Sequence, residues 1–134
     1  MTDILELLDR GRMFRESGDP STAARILSEV ATAAPDNRAV LTELALAHFQ
    51  SAALGRAEEV ARRLVELDPS DSYARLLLGR ALARQNRHAE AVPELRLAAA
   101  MTDDADTHAA LAHCLSRAPG AAPAPRPARA GSAV

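Results

Sequence analysis

The chain has no Lys and no Trp, and only two Phe, one Tyr and one Cys among its 134 residues. Each scarcity excludes something. A lone Cys114 cannot close an internal disulfide, and there is no pair of cysteines at metal-ligand spacing. So few aromatic and β-branched residues, in a chain whose commonest residue is Ala, point away from sheets and toward closely packed helices. No apolar run approaches the roughly 20 residues that a membrane span requires. The opening stretch MTDILELLDRGR lacks the basic-then-apolar pattern of a secretion signal, so no membrane contact and a cytoplasmic location are expected. With no glycine-rich phosphate loop and no nucleophile and base at a catalytic spacing, the chain is expected to be no enzyme and to need no cofactor or metal.

What is present is charge, carried by one kind of base. All 16 basic residues are Arg, against 18 acids, for a net charge of −2. Arg at every basic position is what a strongly GC-biased genome produces, so a bacterial source is expected. Arg117, Arg126 and Arg129 lie at the end, leaving residues 1 to 116 at −5 and the remainder at +3. An acidic body is a poor match for a phosphate backbone, so nucleic acid is not an expected partner. The length suits one domain plus a tail.

Sliding the sequence against itself by 34 residues brings similar residues into register. Gly11, Ala45 and Gly79 share one column, and Ala23, Ala57 and Ala91 another. Pro35 matches Pro69, Leu7 matches Leu41, Leu44 matches Leu78, and Val30 matches Leu64. Apolar residues recur at three- and four-residue steps, as in Leu41, Leu44, Ala45 and His48, which is the period of an amphipathic helix. Gly18-Asp19-Pro20, Pro35-Asp36-Asn37, the region of Gly55 and Asp68-Pro69-Ser70-Asp71 punctuate the pattern. Helices are therefore expected at 3–17, 20–33, 37–51, 54–67, 71–85, 88–101 and 105–117. Pro93 is expected to sit early enough in its helix to be tolerated. The polar residues of the seventh helix suit a solvating cap on a stack, and the Ala/Pro/Arg-rich tail, 118–134, is expected to be disordered.

These columns resemble the tetratricopeptide repeat (TPR), whose signature runs large residue, Leu-Gly, aromatic, Ala, large residue and closing Pro. The second unit reads Leu41, Leu44-Ala45, His48, Ala57, Ala61 and Pro69; the third reads Arg75, Leu78-Gly79, Leu82, Ala91 and Leu95. The first reads Leu7, Arg10-Gly11, Phe14, Ala23, Leu27 and Pro35. Arg10 and Arg75 depart from the apolar pattern, and Asp103 stands where a third Pro belongs. The third unit is one residue short, because Leu111, Ala112 and Leu115 fit the next unit in a register shifted by one. The resemblance implies an all-α, right-handed α-solenoid of antiparallel helix pairs over residues 1–117. Its repeats fall at about 4–37, 38–71 and 72–104, with a capping helix at about 105–117.

The resemblance also implies that the first helix of each pair lines a concave wall that binds another protein or peptide. The candidate residues there are Leu8, Arg12 and Arg15, then Thr42, Leu46 and Phe49, then Tyr73, Leu76, Arg80 and Arg84. An apolar strip bearing two of the few aromatics and walled by Arg suits a segment carrying carboxylates, acidic or C-terminal. The alternative is that these arginines are ordinary solvated surface, paired locally as in Arg12 with Glu16. The columns that hold a chaperone's terminal carboxylate in one subclass contain Leu8, Arg12, Glu43, Tyr73 and Leu77 here, so that activity is not expected. His108 and His113 are five apart and face different ways, while His48 in a core column reads as a satisfied core histidine and Cys114 as a small buried hydrophobe. A monomer is expected. The competing reading is a self-associating scaffold joined through Ile4, Leu5 and Leu8, or through Leu111 and Leu115.

Overall fold

Among the described residues seven helices follow one another: α1 (Ile4–Glu16), α2 (Pro20–Ala33), α3 (Arg38–Gln50), α4 (Leu54–Leu67), α5 (Ser72–Arg84), α6 (His88–Met101) and α7 (Ala105–Arg117). This computed structural model describes residues 3–118, so the expected tail lies outside the described residues except for Ala118. The helices of the second unit begin 34 residues after those of the first, and those of the third 34 after the second. The step from α5 to α7 is one shorter, as the shifted register of Leu111 and Leu115 requires.

Local chemistry sets these boundaries. Asp3, Asp19, Asn37, Asp71 and Asp104 each accept a backbone N–H at the start of α1, α2, α3, α5 and α7, the role for which short polar side chains are favoured. The turn inside each unit needs a left-handed residue, and the three positions are one period apart: Gly18 at φ 92°, Ala52 at φ 62° and Asn86 at φ 61°. Gly and Asn tolerate this conformation, whereas Ala carries a steric cost of roughly 1–2 kcal/mol there.

Within each unit the two helices cross at the column of small residues. A Cβ added to Gly11 would lie 2.6 Å from Leu27 Cγ, and one added to Gly79 would lie 2.5 Å from Leu95 Cγ. The same two columns hold Ala45 and Ala61 in the second unit, both buried in one cluster. Glycine faces leucine in units one and three, and two alanines face each other in unit two, so every crossing keeps at least one small side chain at the point of contact. Successive pairs then stack, with each helix against the next and α1 beside α3, α3 beside α5 and α5 beside α7. One apolar cluster joins α1, α2 and α3 through Leu8, Leu27, Val30 and Leu44. A second runs from α3 to α7 through Leu64, Leu78, Leu82, Leu95 and Cys114.

Pro93 is tolerated within α6, as expected, but not for the expected reason. It is the sixth residue of α6, beyond the first turn, so its missing N–H leaves the Ala89 carbonyl without its helical donor. The helix nevertheless continues, because Pro93 and Ala89 are both exposed and water reaches that carbonyl.

Two stability outcomes follow from these contacts. Gly79→Ala is expected to cost about 1–3 kcal/mol by overpacking against Leu95, despite the better helix propensity of Ala. Leu95→Ala alone truncates a fully buried side chain and should cost about 2–5 kcal/mol. In the double variant Gly79→Ala/Leu95→Ala, which reproduces the pair of unit two, the overpacking is relieved, so the combined loss in urea denaturation should be smaller than the sum of the single losses. Additive losses would mean that the crossing is not what Gly79 serves. Ala52→Gly should raise the melting temperature, with a gain of about 0.5–1 kcal/mol from relief of the left-handed strain.

Candidate partner-binding groove

Because α1, α3, α5 and α7 lie side by side, their shared face forms one continuous wall. Position on that wall decides what each candidate residue offers. Leu8 and Leu76 are only 6% and 4% exposed, so both are core residues and present no surface to a ligand. Neighbouring inner helices close over them. Thr42, Leu46 and Phe49 are partly exposed, and Tyr73 is exposed. The Thr42 hydroxyl donates to the Arg38 carbonyl at 2.8 Å.

The four candidate arginines divide into two pairs with different fates. Arg12 Nε donates to Glu43 Oε1 at 3.0 Å, and Arg15 Nε to Glu43 Oε2 at 2.8 Å. Glu43 is buried, so one carboxylate on α3 is gripped by two guanidinium groups from α1. The local pairing of Arg12 with Glu16 that the alternative reading offered is not formed; Glu16 lies near Arg15, and Asp9 near Arg12. The hydrogen bond and charge of Glu43 hold the Arg12 guanidinium above its ordinary pKa. Arg12 and Arg15 are thus opposed by Glu43, Asp9 and Glu16, so neither guanidinium in the N-terminal half of the wall is without an acidic partner.

The C-terminal half is different. Among the described residues no carboxylate lies within 4 Å of Arg80 or Arg84. The Arg84 guanidinium instead sits over the Phe49 ring, 5.1 Å from its centroid, a cation–π arrangement that keeps the charge exposed. These three residues border a cavity of 410 Å³ whose base is formed by Ala83, Leu95 and Cys114. Its far side is Asp106, Ala109, Ala110 and His113, all on α7. Burial pushes the Cys114 thiol up from its ordinary pKa, so it stays protonated and serves as packing.

These α7 residues were not among the groove candidates, since the sequence reading gave this helix the role of a solvating cap and, through Leu111 and Leu115, of an edge for self-association. The signal was present. Carrying the one-residue shift into α7 places Asp106, Ala109, Ala110 and His113 in the columns of Tyr73, Leu76, Leu77 and Arg80. The capping helix therefore also continues the inner wall.

Two tetratricopeptide-repeat profiles match the chain, over residues 14–77 and 54–106. Together with the seven-helix architecture they settle its class, and the chain belongs to the tetratricopeptide-repeat family, with three repeats and a capping helix. Among solved structures it is similar to MamA MSR-1, at 25% identity and a TM-score of 0.77, covering 86% of this chain and 67% of that one. It is also similar to the first TPR of Spaghetti (RPAP3) bound to the HSP90 peptide SRMEEVD, at 20% identity and a TM-score of 0.78, covering 83% and 89% of the two chains. The second TPR domain of human RPAP3, in complex with the HSP70 peptide SGPTIEEVD, matches at 20% identity and a TM-score of 0.77, covering 82% and 92%. At that identity the likeness to the RPAP3 domains is one of fold. No curated protein sequence matches the chain. Among the described residues no helix is long and apolar enough to cross a membrane.

The clip on Glu43 has a measurable weight. Glu43→Ala is expected to destabilise the domain by about 2–3 kcal/mol, since it leaves the largely buried Arg15 without its acceptor. Glu43→Gln, which keeps an acceptor of the same shape, should cost less. Equal losses in urea denaturation would assign the whole effect to the charge of Glu43 rather than to its packing.

Proposed function

We propose that the chain is a non-catalytic protein–protein interaction module that binds an acidic or C-terminal peptide segment in the C-terminal half of its concave groove. One observation carries this reading: Arg80 and Arg84 stand without carboxylate partners beside Phe49, at the mouth of a cavity with an apolar base. A ligand carboxylate meets two guanidinium groups there while an apolar side chain enters between α5 and α7. Asp106 on the opposite rim selects against a second acid at that side. Thr42, Leu46 and Tyr73 extend the contact along the wall, with Arg12 and Arg15 acting mainly to hold Glu43 and the shape of the groove.

A chaperone-type carboxylate clamp does not fit this wall. Of its five columns here, Leu8 and Leu77 are buried and Arg12 is committed to Glu43. The peptides held by the RPAP3 domains support a groove-binding mode in general, not the same ligand.

The self-associating alternative has support at one edge. Ile4 and Leu5 are 36% and 65% exposed next to a shallow depression lined by Leu7, Ile26 and Val30. Leu8 is buried and Leu111 and Leu115 pack partly against the core, so the other residues expected to join copies are largely occupied. A monomer by sedimentation at high concentration removes this alternative.

The groove is tested by comparing the intact chain with Phe49→Ala and with Arg80→Ala/Arg84→Ala. Partners captured from a host lysate are identified by mass spectrometry, and affinity is then measured with the synthetic segment. The variants should keep wild-type helicity and lose affinity by roughly thirtyfold, the scale of a central aromatic or Arg contact. Unchanged capture by both variants places the partner on another face.

A further inference from the structure

The outer face of the first two repeats carries a cleft of 540 Å³ that shares no residue with the groove. Its floor includes His48, which is 6% exposed and whose ring nitrogens have no hydrogen-bond partner among the described residues. The expectation of a satisfied core histidine is therefore half right: the ring is buried, but its polar atoms are left for whatever enters the cleft. Burial, reinforced by the charge of Arg56 and partly opposed by Glu59, lowers the His48 pKa, so near neutral pH the ring is uncharged and has one N–H to donate.

Three further features converge on the same cleft. Arg25 of α2 and Arg56 of α4 flank it, both exposed, and neither has a carboxylate within 4 Å among the described residues. Ser21 and Ser28 add hydroxyl groups, while the Ser51 hydroxyl donates to the His48 carbonyl at 3.2 Å. The cleft also opens at the N-terminus of α4, where Ala53 supplies no side-chain cap. The amides of Leu54, Gly55 and Arg56 are thus left as free donors at the positive end of the helix. A Cβ built on Gly55 would meet nothing within 4 Å, so this helix end is open. Glu29 on the rim, Asp19 near Arg25 and Glu59 near His48 are the acids that oppose this field.

From this convergence we propose that the outer cleft is a binding site for a phosphate group, held by Arg25, Arg56, His48 and the first amides of α4. Two guanidinium groups balance a dianion, and the tetrahedral oxygens have donors on several sides: amides, imidazole N–H and serine hydroxyls. A carboxylate, with one charge and two oxygens in a plane, leaves one arginine and part of the donor set unused. The phosphate is either free or carried as a monoester, since the cleft is open to solvent.

The test uses the full chain labelled with nitrogen-15 and titrated with inorganic phosphate near neutral pH at constant ionic strength. Saturable shifts are expected at the Leu54, Gly55 and Arg56 amides, together with a rise in the His48 pKa measured from its ring protons, because a bound anion favours the imidazolium. Arg25→Ala/Arg56→Ala, which changes only exposed side chains, should keep the fold and weaken binding by roughly tenfold or more. Absence of these shifts, equal shifts with chloride or acetate, or unchanged affinity in the double variant each overturn the site. A parallel titration with O-phosphoserine separates the sources: tighter binding than inorganic phosphate assigns the site to a phosphorylated residue, and equal binding assigns it to the free ion.

Discussion

Everything in this molecule depends on how closely the two helices of a repeat approach. At Gly11 and Gly79 the partner leucine occupies the space in which any side chain would stand. That contact fixes both the separation and the rotation of the pair. A helix rotated by one residue would turn its apolar stripe away from the neighbour by about 100°. Because each pair presents its stripe to the next, an error at one crossing propagates along the stack. The second repeat places Ala45 and Ala61 in the same two columns, so its close approach is built from two small side chains in place of glycine against leucine.

Stacking also decides which charges remain for a partner. Arg38 reaches Asp71 at 2.7 Å and Arg75 reaches Glu94 at 2.9 Å. Glu58 accepts from Arg62, Gln85 and Arg87, which ties α4 to the turn before α6. Burial works to raise the Glu58 pKa, but these hydrogen bonds outweigh it and hold the carboxyl below its ordinary value. With Glu43 held by Arg12 and Arg15, much of the arginine complement joins one helix or repeat to the next. Arg80 and Arg84 stand outside that network, and for this reason the groove is chemically asymmetric although the backbone repeat is regular.

The fold was almost wholly legible in the sequence, since the 34-residue period and the breaker residues are local signals and the helices form where those signals fall. The site was legible only in part. A repeat register says which face a residue occupies, but not whether a neighbouring helix covers it; Leu8 and Leu76 point toward the wall and are nevertheless buried. Nor does it say which long side chains meet. Arg12 and Glu43 are 31 residues apart, and their pairing depends on rotamers and on the stagger between α1 and α3. The missed contribution of α7 has another origin: its polar composition was read as solvation, although the one-residue shift already placed four of its residues in the columns of the inner wall.

His48 and Phe49 show how the two faces are connected. They are adjacent on α3, yet one forms the floor of the outer cleft and the other borders the inner cavity. A helix turns successive side chains by about 100°, so a single helix two layers deep can serve both surfaces at once. Its rotation is set on one side by Glu43 in the grip of α1 and on the other by Ala45 packed in the core of the second repeat. Both surfaces therefore inherit their geometry from the same few contacts. A change at either contact that rotated α3 would displace the aromatic ring under Arg84 and the imidazole between Arg25 and Arg56 together, so the two faces are separate in chemistry but share one structural origin.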